Sequence, residues 1–262
     1  MIGIVHPGNM GAAIAGLLDK AAWASQGRSS ATRVRAAGLT DLGTIARLKD
    51  NCEIVLSVCP PHAAVETARQ FRDYPGLYAD LNAISPATCA EVARLVPRFV
   101  DGGIIGPPPV HAGTTRVYLA GPQSPAVAAL FEGTALDARV LPGPAGDASA
   151  LKMTYAAWTK GTTALLLATR AAARSLGVED ELLREWELSQ PSLPGRSQDA
   201  ARLGRERGWR WAYELEETGR TFADAGLPDG FGIAAGEVYR RLPRDGDGDA
   251  FSYLTGPGSP RS

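Results

Sequence analysis

The chain has 262 residues, a formal net charge of −1, 45% hydrophobic residues and 21% charged ones. That length allows one large domain or two modest ones, and the near-neutral charge gives no electrostatic reason to expect nucleic acid or an anionic membrane as partner. No stretch offers the ~20 uninterrupted apolar residues of a membrane helix. Cys52, Cys59 and Cys89 are odd in number and lack metal-ligand spacing, so they read as reduced thiols and imply no metal. With an apolar strand at the very start and no signal peptide pattern, the expected location is cytoplasmic.

Strand one is predicted at residues 2–5. It runs straight into a turn, His6-Pro7-Gly8-Asn9-Met10-Gly11, and then into a helix of small residues. A strand, a glycine turn and a helix in that order suit a dinucleotide pyrophosphate. The glycines admit the phosphates close to the backbone, and the N–H groups at the helix start face their charge. A full fingerprint would carry glycine at position 6, where this chain has histidine. Gly8 and Gly11 keep the roles of phosphate approach and of close helix–strand packing. His6 reads as a turn residue.

Strand two is predicted to end near residue 25, where an adenosine ribose would lie. NAD enzymes place Asp or Glu there for the ribose hydroxyls. This sequence has no acidic residue from Ala21 to Thr40 and offers Gly27-Arg28-Ser29-Ser30 instead, followed by Arg33 and Arg35. A guanidinium with hydroxyls suits a 2′-phosphate, so NADP is expected over NAD. Arg28 sits best for that phosphate, while Arg33 and Arg35 fit a solvated helix face equally well.

Further strands are predicted at 53–58, 77–82, 99–104, 117–120 and 136–141, with helices at 61–71 and 86–96. Loops at the carboxyl ends of such strands line the ligand crevice. That places Val58, Cys59 and Pro60 beside the cofactor and Asn82 near a ribose; Cys59 fits a plain rigid loop equally. Beyond Pro142-Gly143-Pro144 the pattern becomes helical: 145–175, 179–189, 196–225 and 229–242. The first of these would be about 46 Å long at 1.5 Å per residue. The expected architecture is α/β: a Rossmann domain with a doubly wound parallel sheet at 1–144, an all-α domain at 145–242, and a loose Gly/Asp/Pro/Ser-rich tail at 243–262.

Only four lysines occur, Lys20, Lys49, Lys152 and Lys160, and two of them lie on the long helix. Lys152, Tyr155, Ala156, Thr159 and Thr163 share one helical face. A cleft-facing lysine can exchange protons with a substrate oxygen; one whose stem leads to solvent has the same spacing.

Together, Gly8-Asn9-Met10-Gly11, Ser57-Val58-Cys59-Pro60, Asp80-Leu81-Asn82, Asp101-Gly102-Gly103, and Gly146 followed by Leu151-Lys152-Met153 resemble the β-hydroxyacid dehydrogenase superfamily. That superfamily includes 6-phosphogluconate dehydrogenase, 3-hydroxyisobutyrate dehydrogenase and the imine reductases. Ala157-Trp158-Thr159-Lys160-Gly161, Ser189-Gln190-Pro191 and Gly226-Leu227-Pro228-Asp229-Gly230-Phe231 look like a branch with a phosphogluconate-dehydrogenase-like C-terminal domain. The resemblance implies that Lys152 is the catalytic general acid/base, that Asn82 lies near the cofactor ribose, and that Arg28-Ser29 binds the NADP phosphate. It implies a small-molecule substrate in an interdomain cleft, near Gly103, Ile105, Gly106, Ala156, Trp158 and Thr159, and a homodimer through the C-terminal helices.

Two departures stand out. The family's Ser-Gly carboxylate pair is Ile105-Gly106 here, and its asparagine one turn after the lysine is replaced by Tyr155-Ala156. An ordinary small β-hydroxy acid is less well supported for that reason, and Tyr155 could supply a phenolic proton. The leading expectation is an NADP(H)-dependent oxidoreductase acting at a C–OH/C=O carbon. The alternatives are an imine reductase acting on C=N and a non-catalytic NADP-binding regulator.

Overall fold

A computed structural model describes residues 1–243 and 248–255. The chain divides into two compact units, one spanning Met1–Met153 and the other beginning at Thr154.

The first unit is built on one eight-stranded sheet: β1 (Ile2–Val5), β2 (Ala21–Trp23), β3 (Thr40–Asp41), β4 (Ile54–Ser57), β5 (Leu77–Asp80), β6 (Phe99–Ile105), β7 (Thr115–Ala120) and β8 (Leu136–Val140). The spatial order is β3-β2-β1-β4-β5-β6-β7-β8. All neighbours are parallel except β6 and β7. The order reverses between β1 and β4, the switch point outside which doubly wound sheets bind ligands. Its helices are α1 (Asn9–Ala15), α2 (Ser30–Arg35), α3 (Ile45–Asn51), α4 (Ala64–Arg69), α5 (Pro86–Leu95), α6 (Ser124–Ala128) and, up to Met153, α7 (Asp147–Ala156).

Strand alternation divides the apolar residues between the two faces of the sheet. Ile4, Leu56, Ala79 and Val100 enter one core cluster with Ile14 of α1. Val5, Val55 and Tyr78 enter another, with Phe71 and Val92 from the helical side. Strands buried on both faces are what a helix-covered parallel sheet requires. The Ser85-Pro86 helix start behaves as its composition predicts: the Ser85 hydroxyl accepts from the Thr88 N–H at 3.2 Å, and Pro86 takes the first helical position. The strand at Thr40–Asp41 was not anticipated, because two residues carry no readable periodicity.

Helix α7 continues through a π-helical turn at Ala157–Gly161 into α8 (Thr162–Ser175). The expected straight helix over 145–175 is therefore interrupted by one widened turn. Then follow α9 (Glu179–Ser189), α10 (Leu193–Asp224), α11 (Gly230–Arg240) and α12 (Ala250–Thr255). Small residues let α10 and α11 approach closely: a Cβ on Gly232 would stand 2.4 Å from the Gly219 nitrogen, and one on Gly236 3.1 Å from the Ala212 carbonyl. Leu167, Leu215 and Tyr239 lie at the centre of this core.

Helix α12 corrects the loose tail expected from residue 243 onward. Ala250, Phe251 and Leu254 are buried, and the guanidinium groups of Arg170 and Arg174 lie 4.6 and 4.9 Å from the Phe251 ring centroid. Burial of an aromatic side chain with two cation–π contacts outweighs the polar composition around it. Residues 244–247 and 256–262 of that stretch lie outside the described residues.

Candidate active site

The opening turn joins β1 to α1 through two glycines in different surroundings. Gly8 caps α1 with extended backbone, and a Cβ placed there would meet nothing nearer than the His6 carbonyl at 4.0 Å. That face is open to a ligand. At Gly11 a Cβ would lie 2.8 Å from the same carbonyl, so this glycine is needed for helix–strand packing. Pro7 is buried, Met10 half-buried and Asn9 exposed. His6 has a φ of 62°, and burial, with the charge of Arg28 second, lowers its pKa to about 4. Among the described residues, the His6 Nδ1 and the Arg28 Nε are both buried with no hydrogen-bond partner. These open and unsatisfied groups at the switch point fit a phosphate-bearing ligand.

The second element of the crevice follows β2. A cleft of about 470 Å³ is lined by Ala24, Gln26, Arg28, Thr44, Ile45, Ala46 and Gln70. Its size suits a purine nucleoside moiety. Gln26, Thr44, Ile45 and Gln70 were not anticipated; the signal available for them was the turn Gly43-Thr44, where Gly43 has a φ of 78° and the Thr44 hydroxyl caps α3. Ser29 and Ser30 are exposed. The Ser29 hydroxyl caps α2 by accepting from the Thr32 N–H at 3.3 Å. Arg33 donates to the Ser25 carbonyl at 2.9 Å, so it braces the turn that presents Arg28.

The loop after β4 is held from below. Asn82 accepts the Cys59 N–H at 2.6 Å through its Oδ1, and its Nδ2 donates to Ser57 Oγ at 3.1 Å and Asp80 Oδ2 at 2.8 Å. Expected beside the ribose, Asn82 spends its amide tying the ends of β4 and β5 together and so positions Val58, Cys59 and Pro60. Burial pushes the Cys59 thiol up to about 12, so at neutral pH it is not a thiolate nucleophile. Among the described residues no group of three His, Cys, Asp or Glu is placed to hold a metal ion.

Lys152 is brought to the sheet by a buried carboxylate. Asp101 on β6 accepts from the Gly146 N–H (2.8 Å), the Ser149 N–H (3.0 Å) and the Ser149 hydroxyl (2.6 Å). The Ser149 N–H is one of the orphan donors in the first turn of α7. Two residues along β6, a Cβ on Gly103 would lie 2.7 Å from the Lys152 Cβ and 2.8 Å from the Ala148 carbonyl. The Asp101-Gly102-Gly103 motif thus has a mechanical meaning: the acid anchors the helix and Gly103 admits it. Gly103 lies in the carboxyl-terminal half of β6, the end of the strands where the crevice opens. Lys152 is half-buried.

Ile105 is buried in the sheet, and Gly106 follows with a φ of 131°. Asp80 pairs with Asp101 across β5 and β6, and burial raises its pKa to about 7. In the helical unit Tyr155 and Trp158 are exposed, Ala156 is buried, and Thr159 donates to the Tyr155 carbonyl at 3.0 Å. The π turn also carries Lys160, which pairs with Glu214 and stands 5.6 Å from the Trp211 ring centroid.

Comparison with known proteins bears on the fold. Residues 173–242 match the family described as a domain of unknown function, DUF1932. An uncharacterized 28.5 kDa protein from the 7S RNA 5′ region of Methanothermus fervidus is 30% identical over 146 residues, 55% of this chain and 57% of that protein. A conserved protein of unknown function, described as structurally similar to 3-hydroxyacid dehydrogenases, superposes with a TM-score of 0.69 at 26% identity over 91% of this chain and 96% of that one. Mycobacterium tuberculosis 3-hydroxyisobutyrate dehydrogenase with L-serine gives 0.67 at 17% identity, covering 97% of both chains. A reductive aminase from Aspergillus terreus, in complex with NADPH and ethyl levulinate, gives 0.55 at 18% identity, also over 97% of both.

The chain therefore carries the dehydrogenase/reductase fold shared by 3-hydroxyisobutyrate dehydrogenases and imine reductases.

Proposed function

We propose that this protein is an NADP(H)-dependent oxidoreductase acting at a C–OH/C=O carbon of a small polar metabolite, with Lys152 as general acid/base. The observation that carries this reading is the Asp101–Gly103 seat, which sets the root of Lys152 at the crevice end of the sheet. The dinucleotide would be held by the Gly8–Gly11 turn, Arg28 and the cleft behind it. Arg28, with no acidic residue from Ala21 to Thr40, favours a 2′-phosphate. When bound, the nicotinamide supplies or accepts the hydride. The Lys152 ammonium gives its proton to the carbonyl oxygen in reduction, and the free amine takes the hydroxyl proton in oxidation. The Tyr155 phenol is a second proton donor within one helical turn of Lys152.

Imine reduction is the second reading, supported by the solved reductive aminases and imine reductases of the same fold. A lysine acid/base favours oxygen chemistry over it. Lys152→Ala should lower kcat by about 10²–10⁴ while the dissociation constant for NADPH, measured by cofactor fluorescence, stays within about twofold of wild type. Undiminished turnover would remove Lys152 from the reaction. Assay against paired carbonyl and imine substrates separates the two chemistries.

A homodimer through the helical unit is part of the proposal. An apolar groove of about 840 Å³ there is lined by residues including Trp158, Leu165, Phe222, Phe231 and Val238. Trp158 and Phe231 are 71% and 72% exposed, a contiguous apolar surface of the sort that partners cover. Light scattering should give twice the chain mass, and Phe231→Glu should halve it.

A further inference from the structure

His6 stands where the dinucleotide fingerprint carries its first glycine. It adopts a glycine's conformation, with a φ of 62°, and no other residue with a Cβ has a positive φ among the described residues. A Cβ makes that conformation strained. The turn uses only the backbone of this residue. Its carbonyl accepts the Gly8 N–H at 2.7 Å and bounds the space at Gly11. Glycine would do both without strain, so the shape of the turn does not account for the imidazole.

The imidazole has its own unfinished chemistry. Its Nδ1 is buried without a hydrogen-bond partner among the described residues, and so is the Nε of Arg28. The two side chains come from different elements, the end of β1 and the β2–α2 connection. They are close enough for the Arg28 charge to act on the ring, whose desolvation keeps it neutral in the free protein. Buried polar atoms without partners are rare, and each one calls for a cause. A guanidinium nitrogen can only donate, and one tautomer of neutral imidazole presents an N–H at Nδ1. What this pair lacks is an acceptor. A phosphate oxygen is the acceptor that a guanidinium binds best.

We propose that His6 and Arg28 form a two-residue clamp on one phosphate ester of the bound dinucleotide, which makes His6 a cofactor-binding residue in place of a spacer glycine. This rests on the dinucleotide reading above.

Titration calorimetry with NADPH, and separately with inorganic pyrophosphate, tests it on wild type, His6→Gly, Arg28→Ala and the double variant. His6→Gly suits the backbone, so its Tm should equal or exceed that of wild type. Its Kd for NADPH should nonetheless rise about tenfold. The double variant should lose less affinity than the product of the two single losses, since either change opens the clamp. His6→Asn, which tolerates the left-handed backbone and keeps an N–H donor, should bind more tightly than His6→Gly.

Unchanged or tighter NADPH binding by His6→Gly overturns the clamp and leaves the dinucleotide reading standing. Wild type that ignores NADPH but binds pyrophosphate, with that binding lost in His6→Gly, overturns the dinucleotide reading and keeps the clamp. A wild type that binds neither overturns both.

Discussion

Two corners of the sheet unit are built in opposite ways. At β6 the Asp101 carboxylate takes three hydrogen bonds from Gly146 and Ser149, and α7 seats on Gly103. At the opening turn, His6 holds a strained φ, and two buried nitrogens, on His6 and Arg28, have no partner among the described residues. The first corner is complete without a ligand and the second is not. On the roles proposed above, positioning an acid/base group calls for a rigid, satisfied support, whereas a phosphate site keeps donors uncommitted until the anion arrives.

The sharpest way to break the contrast is to open the closed corner. Asp101→Ala leaves three buried donors unanswered, and should cost about 3 kcal/mol of folding stability, read by denaturant unfolding. A loss under about 1 kcal/mol would show that this corner is no better satisfied than the other. Gly103→Ala should cost less, about 2 kcal/mol, because the helix can shift. It should lower kcat about tenfold, with NADPH affinity unchanged, if the seat places Lys152. A fall in affinity with kcat intact would reverse the assignment of the two corners.

The smallest net effect is in the pH dependence of the wild type, because two buried groups shift in opposite directions. Asp80 has its pKa raised by burial from 3.8 to about 7. The folded chain therefore holds a proton that the unfolded chain has released, and this contribution to stability is lost as pH rises from about 4 to 7. His6 has its pKa lowered from 6.5 to about 4, so its contribution has the opposite sign and is lost as pH falls through the same window. Asp80→Asn should flatten the loss on the alkaline side, and His6→Gly the loss on the acid side, in unfolding curves taken from pH 4 to 8. Parallel curves for wild type and both variants would show that neither group titrates as its burial dictates.

Much of the sheet unit was legible in the sequence because its signals are local. Apolar runs separated by turns gave seven of the eight strands, and the missing one has two residues. The packing role of Gly11 was readable because it depends on the His6 carbonyl a few residues away. Asn82 was harder. Its position at the end of β5 was legible, but its hydrogen bonds reach Ser57 and Cys59, more than twenty residues back. The Asp101 cap spans 45 residues to Gly146 and has no local trace beyond the motif itself. The π turn was not legible, since its five residues are compatible with an α-helix. Helix α12 was hidden by a polar composition, which said nothing of Arg170 and Arg174 waiting for Phe251.

The sequence by itself determined the α/β order of elements, the glycine turn, the missing ribose acid and the lone lysine early in the long helix, since periodicity and residue type are local properties. Only tertiary structure decided that Asp101 and Gly103 would seat that lysine, that Asn82 would tie β4 to β5, and that His6 and Arg28 would meet with their nitrogens unanswered among the described residues. Burial and hydrogen-bond satisfaction depend on residues far apart in the chain, and exist only once the strands have been brought side by side.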